Sequence, residues 1–235
     1  MTAPVTTEWI QVATEGGSFD AYLARPPAGH GPGLVLFQEI FGVNAHIRGV
    51  AEQYALAGFV VLAPDVFWRG QPRVELGYEG AERDQARALA QALQPAELAA
   101  DSRATVAALR ARPEVGGRKV GAIGYCMGGR LAWGAAAGAG VDAAVCYYGG
   151  GIQNQLALAA DIHCPLQLHY AERDDHIPLD AVEQVRAALA GKTAEVHVYP
   201  GAMHGFNCWA RGSYHPASAA LAHGRSLAFL AAALY

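Results

Sequence analysis

Apolar and polar residues alternate in two short runs at the start of the chain, residues 7–14 (TEWIQVAT) and 19–26 (FDAYLARP), separated by Glu15-Gly16-Gly17-Ser18. Period-two alternation interrupted by glycines predicts an antiparallel hairpin with one covered face. The pattern then changes. Residues 33–40 (GLVLFQEI) and 59–66 (FVVLAPDV) are nearly continuous apolar runs flanking a helical stretch at 47–56. Such runs are expected of parallel strands buried on both faces and joined by a crossover helix. The alternation continues through 119–126, a Gly/Ala-rich helix, 141–149, 164–172, a helix at 181–189, 194–201 and a last helix at 217–234. This predicts an α/β chain with a mostly parallel central sheet of about eight strands and helices on both faces.

Residues 67–80 follow a strand end and are rich in Gly, Pro, Arg and aromatics, so they are expected to form a lid. Two alanine-rich helices follow, at 81–93 and 95–110. No linker or internal repeat divides the chain, and 235 residues suit one α/β domain spanning 1–235.

Composition narrows the function. The chain is 52% hydrophobic and 16% charged, which favours a folded globule over disorder. A net charge of −4 without any long Lys/Arg run argues against nucleic acid or an anionic membrane as partner. The N-terminus lacks the basic and apolar regions of a signal peptide. The most apolar stretch, 131–148, is broken by Gly134, Gly138, Gly140 and Asp142, so a buried helix and strand are expected there instead of a membrane span. Four scattered cysteines, without any CxxC, fit neither a disulfide framework nor a zinc site. A reducing cytoplasm is the expected location.

The chemistry centres on residues 120–129, VGAIGYCMGG, a buried strand running through Gly-x-Cys-x-Gly into a helix. This is the pattern of a nucleophile elbow with sulfur in place of the usual serine oxygen. Gly124 and Gly128 suit a turn too crowded for side chains. The N–H groups at the start of the helix favour a thiolate and a developing oxyanion, with the Met127 N–H as one expected donor. With 28 glycines among 235 residues, four cysteines would give the bare pattern by chance about 0.06 times. The bland alternative is a small buried cysteine at a tight junction.

Nine histidines compete as the base for Cys126. In an elbow fold the acid follows a late strand and the histidine follows the last one. His204, just beyond 194–201, fits that order. His169 and His197 lie inside strand patterns and read as core or edge residues, while His30 and His46 come too early. Asp174 and Asp175 end the preceding strand segment, where a carboxylate can fix the imidazole's tautomer. The other aspartate is expected to cap a helix or face solvent.

Gln38-Glu39-Ile40-Phe41-Gly42, Gly124-Tyr125-Cys126-Met127-Gly128-Gly129, Tyr147-Tyr148-Gly149, Asp174-Asp175-His176-Ile177-Pro178 and His204-Gly205-Phe206 together resemble the dienelactone hydrolase (carboxymethylenebutenolidase) family of α/β-hydrolases, over nearly the whole chain. The family's Asp-x-x-(Ile/Val)-Pro run falls on Asp174, which selects it over Asp175. The resemblance also implies that Glu39 pairs with the resting thiol and takes its proton when substrate arrives. A buried carboxylate beside a thiol would hold the sulfur neutral until then. The Ile40 N–H becomes the second oxyanion donor. The structural alternative for Glu39 is a carboxylate that holds a loop.

The implied reaction is acyl transfer through a thioester on Cys126 to open a small-molecule lactone or ester, without any metal or cofactor. A substrate carboxylate would be gripped by arginine, with Arg83 and Arg211 as candidates. Phe41, Tyr148 and Phe206 lie in the matching segments and are expected to line the pocket. The family's arginine four residues after the histidine is replaced here by Cys208. Arg69 and Arg73 of the expected lid are substitutes for it. That departure supports a second reading, a general carboxylesterase or lactonase. A third is a non-catalytic ligand-binding or thiol-sensing protein, and the expected assembly is a monomer or weak homodimer.

Overall fold

The computed structural model describes residues 4–235. Two strands, β1 (Thr6–Thr14) and β2 (Gly17–Arg25), form the opening hairpin in register Thr6↔Arg25 to Thr14↔Gly17. The chain continues through β3 (Gly33–Phe37), α1 (Ala45–Leu56), β4 (Val60–Pro64), α2 (Gly80–Ala92), α3 (Pro95–Arg110), β5 (Val120–Tyr125), α4 (Met127–Gly138) and β6 (Ala144–Tyr147). After two short 3-10 segments come β7 (Leu166–Ala171), α5 (Leu179–Ala188), β8 (Ala194–Tyr199) and α6 (Pro216–Leu234).

All eight strands join one sheet in the order β1-β2-β4-β3-β5-β6-β7-β8. The first two pairings are antiparallel and the other five parallel. Every residue of β3, β4, β5, β6 and β7 is buried, as their unbroken apolar runs predict for strands covered on both faces. The outer strand β8 keeps an intermediate pattern, with only Tyr199 buried. The stretch 131–148 forms most of α4 and all of β6, inside the globule. α6 is long and apolar enough to cross a membrane by length and composition, yet it packs along the sheet, burying Ser226, Leu230 and Leu234.

Register aligns the strands' carboxyl ends. Phe37 pairs with Gly124, Tyr125 with Tyr147, Tyr147 with His169 and Ala171 with Tyr199. Loops leaving β3, β5, β6, β7 and β8 therefore meet along one edge of the sheet, the usual place for ligands in parallel α/β folds.

The apolar run 33–40 outlasts its strand: β3 stops at Phe37, and Glu39 and Ile40 lie in the loop that follows. Gln38 turns away, donating from Nε2 to the Glu39 carbonyl at 3.2 Å, and this frees Glu39 and Ile40 from the ladder. Residues 67–80 are not a free lid. Asp65 accepts the N–H of Phe67 at 3.0 Å and of Arg73 at 2.6 Å, and the Leu76 N–H donates to the Phe41 carbonyl at 3.0 Å. The segment is fastened at both ends and in the middle, so it forms a fixed wall.

Candidate active site

The elbow is built by close approach. Cys126 sits at φ 56°, ψ −119°, between β5 and α4. A Cβ on Gly124 would stand 1.9 Å from the Gly128 carbonyl oxygen, and one on Gly128 would stand 2.2 Å from that of Phe37. Only hydrogen fits at either place, and α4 can therefore start directly against the end of β3. A positive φ on a non-glycine residue stores strain of order 1–3 kcal/mol. Here it lifts the sulfur out of the turn, and Cys126 remains partly exposed. Met127 begins α4, so its N–H has no intrahelical acceptor, and the Ile40 N–H has no backbone acceptor in the loop beyond β3. These are the two amides expected as oxyanion donors.

The histidine and acid come from across the sheet. His204 Nδ1 donates to Asp174 Oδ2 at 2.8 Å, both groups being buried. Asp174 Oδ1 accepts the N–H groups of His176 at 2.9 Å and Ile177 at 3.1 Å. The Asp-x-x-Ile-Pro turn thus orients the carboxylate, as an Asx turn does. Asp175 points to solvent with His176 as its neighbour, leaving Asp174 as the residue on the imidazole. Burial opposes a charge on His204, but the negative charge of Cys126 when ionised, together with the bond to Asp174, pushes its pKa up to about 10. An imidazolium between sulfur and carboxylate can give a proton to a leaving group.

Glu39 lies beneath this set, fully buried. Its Oε1 accepts from Arg211 Nη1 at 3.1 Å, while Oε2 has no partner. Burial raises its carboxyl above the ordinary range, against the opposing pull of Arg211 and His204. Arg211 also lies 5.7 Å from the Phe41 ring and 5.6 Å from that of Tyr78. Of the two arginines implied for a substrate carboxylate, Arg211 is at the site, engaged with Glu39. Arg83 is exposed on the first turn of α2, without an ion-pair partner among the described residues.

Arg69 and Arg73 are not at the site. Arg69 binds Asp101 and stacks on Trp68, and Arg73 pairs with Asp20 and lies 3.4 Å over the Trp9 ring, both beside the opening hairpin. Phe41 packs on Tyr78 with centroids 4.4 Å apart, next to Arg211. Tyr148 and Phe206, expected to line the pocket, are both 0% exposed. Tyr148 meets the His204 ring edge-on at 5.1 Å, and Phe206 packs on Tyr148 at 5.4 Å and Tyr199 at 5.0 Å. They brace the histidine from below. His169 is a core residue, bonded to Tyr199 Oη at 2.8 Å and Gln167 at 2.9 Å, as its place in a strand predicts.

Sequence reasoning missed the residues behind Glu39. Tyr78, at the end of the fixed wall, accepts from Asn44 Nδ2 at 3.0 Å and stands beside Glu39 and Cys208. His46, on the first turn of α1, and Cys208 are buried beside the same carboxylate. The aromatic end of 67–80 was the only signal for Tyr78, and nothing in the spacing joined residues 39, 46, 78 and 208.

A mostly parallel eight-stranded sheet with an elbow after β5, a carboxylate after β7 and a histidine after β8 defines an α/β-hydrolase fold. The family model for the dienelactone hydrolases matches residues 19–234. The chain belongs to the dienelactone hydrolase family, and is accordingly a hydrolase of ester or lactone bonds. It is 38% identical over 223 residues to an Azospirillum brasilense relative, covering 92% of this chain and 94% of the other. It is 34% identical to a carboxymethylenebutenolidase of Pseudomonas putida, covering 96% of each. A crystal structure of a Klebsiella pneumoniae relative, 31% identical, superposes with a TM-score of 0.86 over 97% of this chain and 98% of that one.

Proposed function

We propose that the protein opens a carboxylate-bearing lactone of the dienelactone type with Cys126 as nucleophile. The arrangement that carries this reading is Cys126 at the elbow with the His204–Asp174 pair on one side and the buried Glu39–Arg211 pair on the other. An arriving substrate carboxylate competes with Glu39 for Arg211. Released from that pair, Glu39 takes the thiol proton of Cys126, and the sulfur attacks the lactone carbonyl. A C–S bond forms, the Ile40 and Met127 N–H groups hold the oxyanion, and the ring C–O bond breaks with His204 protonating the departing oxygen. Water, deprotonated by His204, then attacks the thioester, the C–S bond breaks, and the departing thiolate takes back the proton held by Glu39. No step requires a metal or cofactor.

A second reading is an esterase or lactonase for uncharged substrates, favoured by the exposure of Arg83 and the engagement of Arg211 with Glu39. Ultraviolet-monitored hydrolysis of a dienelactone beside a neutral p-nitrophenyl ester, by the wild type and Cys126→Ala, separates the two. Fast, Cys126-dependent loss of the dienelactone with slow ester turnover is expected. Cys126-dependent ester cleavage without dienelactone turnover replaces the first reading with the second, and turnover that survives Cys126→Ala overturns both. The expected setting is cytoplasmic, with the chain acting as a single-domain monomer or weak homodimer on a small molecule.

A further inference from the structure

Three metal-ligand side chains of different chemistry meet behind the proposed catalytic residues. A carboxylate oxygen of Glu39, a ring nitrogen of His46 and the sulfur of Cys208 all lie within 4.8 Å of one another, and all three residues are buried. Two of the three are unsatisfied. His46 is 3% exposed and neither ring nitrogen has a hydrogen-bond partner, while Glu39 is 0% exposed and its Oε2 has none. Buried polar atoms are almost always paired, because an unpaired one gives up its bonds to water for nothing, so orphans on two neighbouring side chains call for a ligand. Arg211 holds the same carboxylate through Oε1, which leaves Oε2 for a ligand.

We propose that Glu39, His46 and Cys208 form a binding site for a borderline-soft divalent cation of the zinc or cobalt type. Imidazole and thiolate with one carboxylate select such metals over magnesium or calcium, which take all-oxygen shells. Tetrahedral coordination at zinc places ligand atoms about 3.4–3.6 Å apart, so closure from the observed spacing needs movement of roughly an ångström. Binding replaces the thiol proton: the Cys208 S–H bond breaks, an S–metal bond forms and the proton passes to buffer. A fourth position stays open to water. Trp209, 43% exposed, lies edge-on against His46 with centroids 4.1 Å apart, and is the thin cover through which an ion would enter.

The site also bears on the reaction, and this part rests on the role given to Glu39 above. A metal on Oε2 fixes Glu39 in place, so it can no longer swing to the Cys126 thiol. Occupancy would therefore switch the hydrolase off.

The test is titration of the full-length protein, prepared with chelator and then freed of it, with cobalt(II) and zinc(II) alone. Expected are one equivalent bound with a Kd of about 10 µM or below, a sulfur-to-cobalt charge-transfer band, and quenching of Trp209 fluorescence by cobalt. The competing location is Cys126 with His204. The decisive sample is therefore Cys126→Ser, which should keep the charge-transfer band and, loaded with zinc, show one sulfur at about 2.3 Å by X-ray absorption. Cys208→Ala should lose the band and His46→Phe should weaken binding at least about tenfold, which is about 1.4 kcal/mol. Loss of the sulfur signal in Cys126→Ser, or no binding of either metal by the wild type at 100 µM, overturns the site without relying on how Cys208→Ala folds. Zinc is further expected to slow wild-type turnover at least about tenfold. Zinc bound through Cys208 with turnover unchanged supports the site and overturns the proton-accepting role of Glu39 instead.

Discussion

Arg211 reaches Glu39 by passing over Gly205: the guanidinium nitrogen that lies 3.1 Å from Oε1 would stand 2.4 Å from a Cβ placed on that glycine. Gly205 directly follows His204 and holds φ +79°, so the turn that presents the imidazole also opens the channel for the arginine. Gly205→Ala is expected to break the Glu39–Arg211 pair and strain the turn together. The cost should be about 2–4 kcal/mol in denaturant unfolding, with kcat/KM falling at least about tenfold. Unchanged stability would show that the arginine reaches Glu39 by another route.

The backbone at Cys126 separates chemistry from strain. Cys126→Ala removes the sulfur and keeps the strained φ, whereas Cys126→Gly removes the Cβ that makes φ 56° costly. Turnover should drop at least about a thousandfold in both. Thermal unfolding should place the glycine variant above the alanine variant by about 1 kcal/mol, once the flexibility of glycine in the unfolded chain is offset.

Gly128→Ala sets a Cβ 2.2 Å from the Phe37 carbonyl oxygen and 2.5 Å from that of Gln38, all of it backbone in the buried centre of the sheet. Neither partner can yield without moving β3 or α4. A loss of more than about 3 kcal/mol is expected, read as a lower denaturant midpoint or failure to express as folded protein. Wild-type stability in this variant would mean that the elbow is looser than the contacts imply.

The raised pKa of His204 makes stability depend on pH in one direction. The unfolded histidine titrates near 6.5 and the folded one near 10, so the folded state holds its proton more tightly. The stabilisation is fully present below pH 6.5 and is lost as pH rises toward 10. His204→Asn keeps a donor toward Asp174 without the titration. The stability gap between wild type and His204→Asn should therefore narrow from pH 6 to pH 10. A gap that widens over that range would contradict the raised pKa of His204.

The sheet was readable because buried parallel strands write themselves as apolar runs. The hairpin was readable because Glu15 and Gly16 interrupt two alternating segments, and the structure turns there with Gly16 at φ +87°. The elbow at Cys126 and the meeting of His204 with Asp174 could be foreseen because an elbow constrains spacing locally and strand order fixes the rest. Arg69 and Arg73 could not be placed, since an arginine in a polar loop carries no mark of which side it faces. Their partners, Asp101 and Asp20, lie in elements that only folding brings near. Tyr148 and Phe206 were assigned to the pocket because matching segments place a residue near a site without saying on which side of the histidine it lies. The orphaned nitrogens of His46 left no trace in the sequence, because burial without a partner is a property of space and not of order.

Only β6 stands between the strand that ends in Cys126 and the strand that leads to Asp174, with Tyr148 rising from its end against His204. The gap between the two halves of the site is therefore gauged by strand spacing, about 4.8 Å per step, and not by any loop. With the roles proposed for these residues, bond-breaking geometry is inherited from the buried centre of the sheet. The outlying segment 66–77, which carries none of the side chains assigned to the reaction, is left free to diverge without disturbing it. Substrate preference and catalytic competence become separable traits, and a chain of this design can change what it hydrolyses by rewriting its rim while the centre stays as it is.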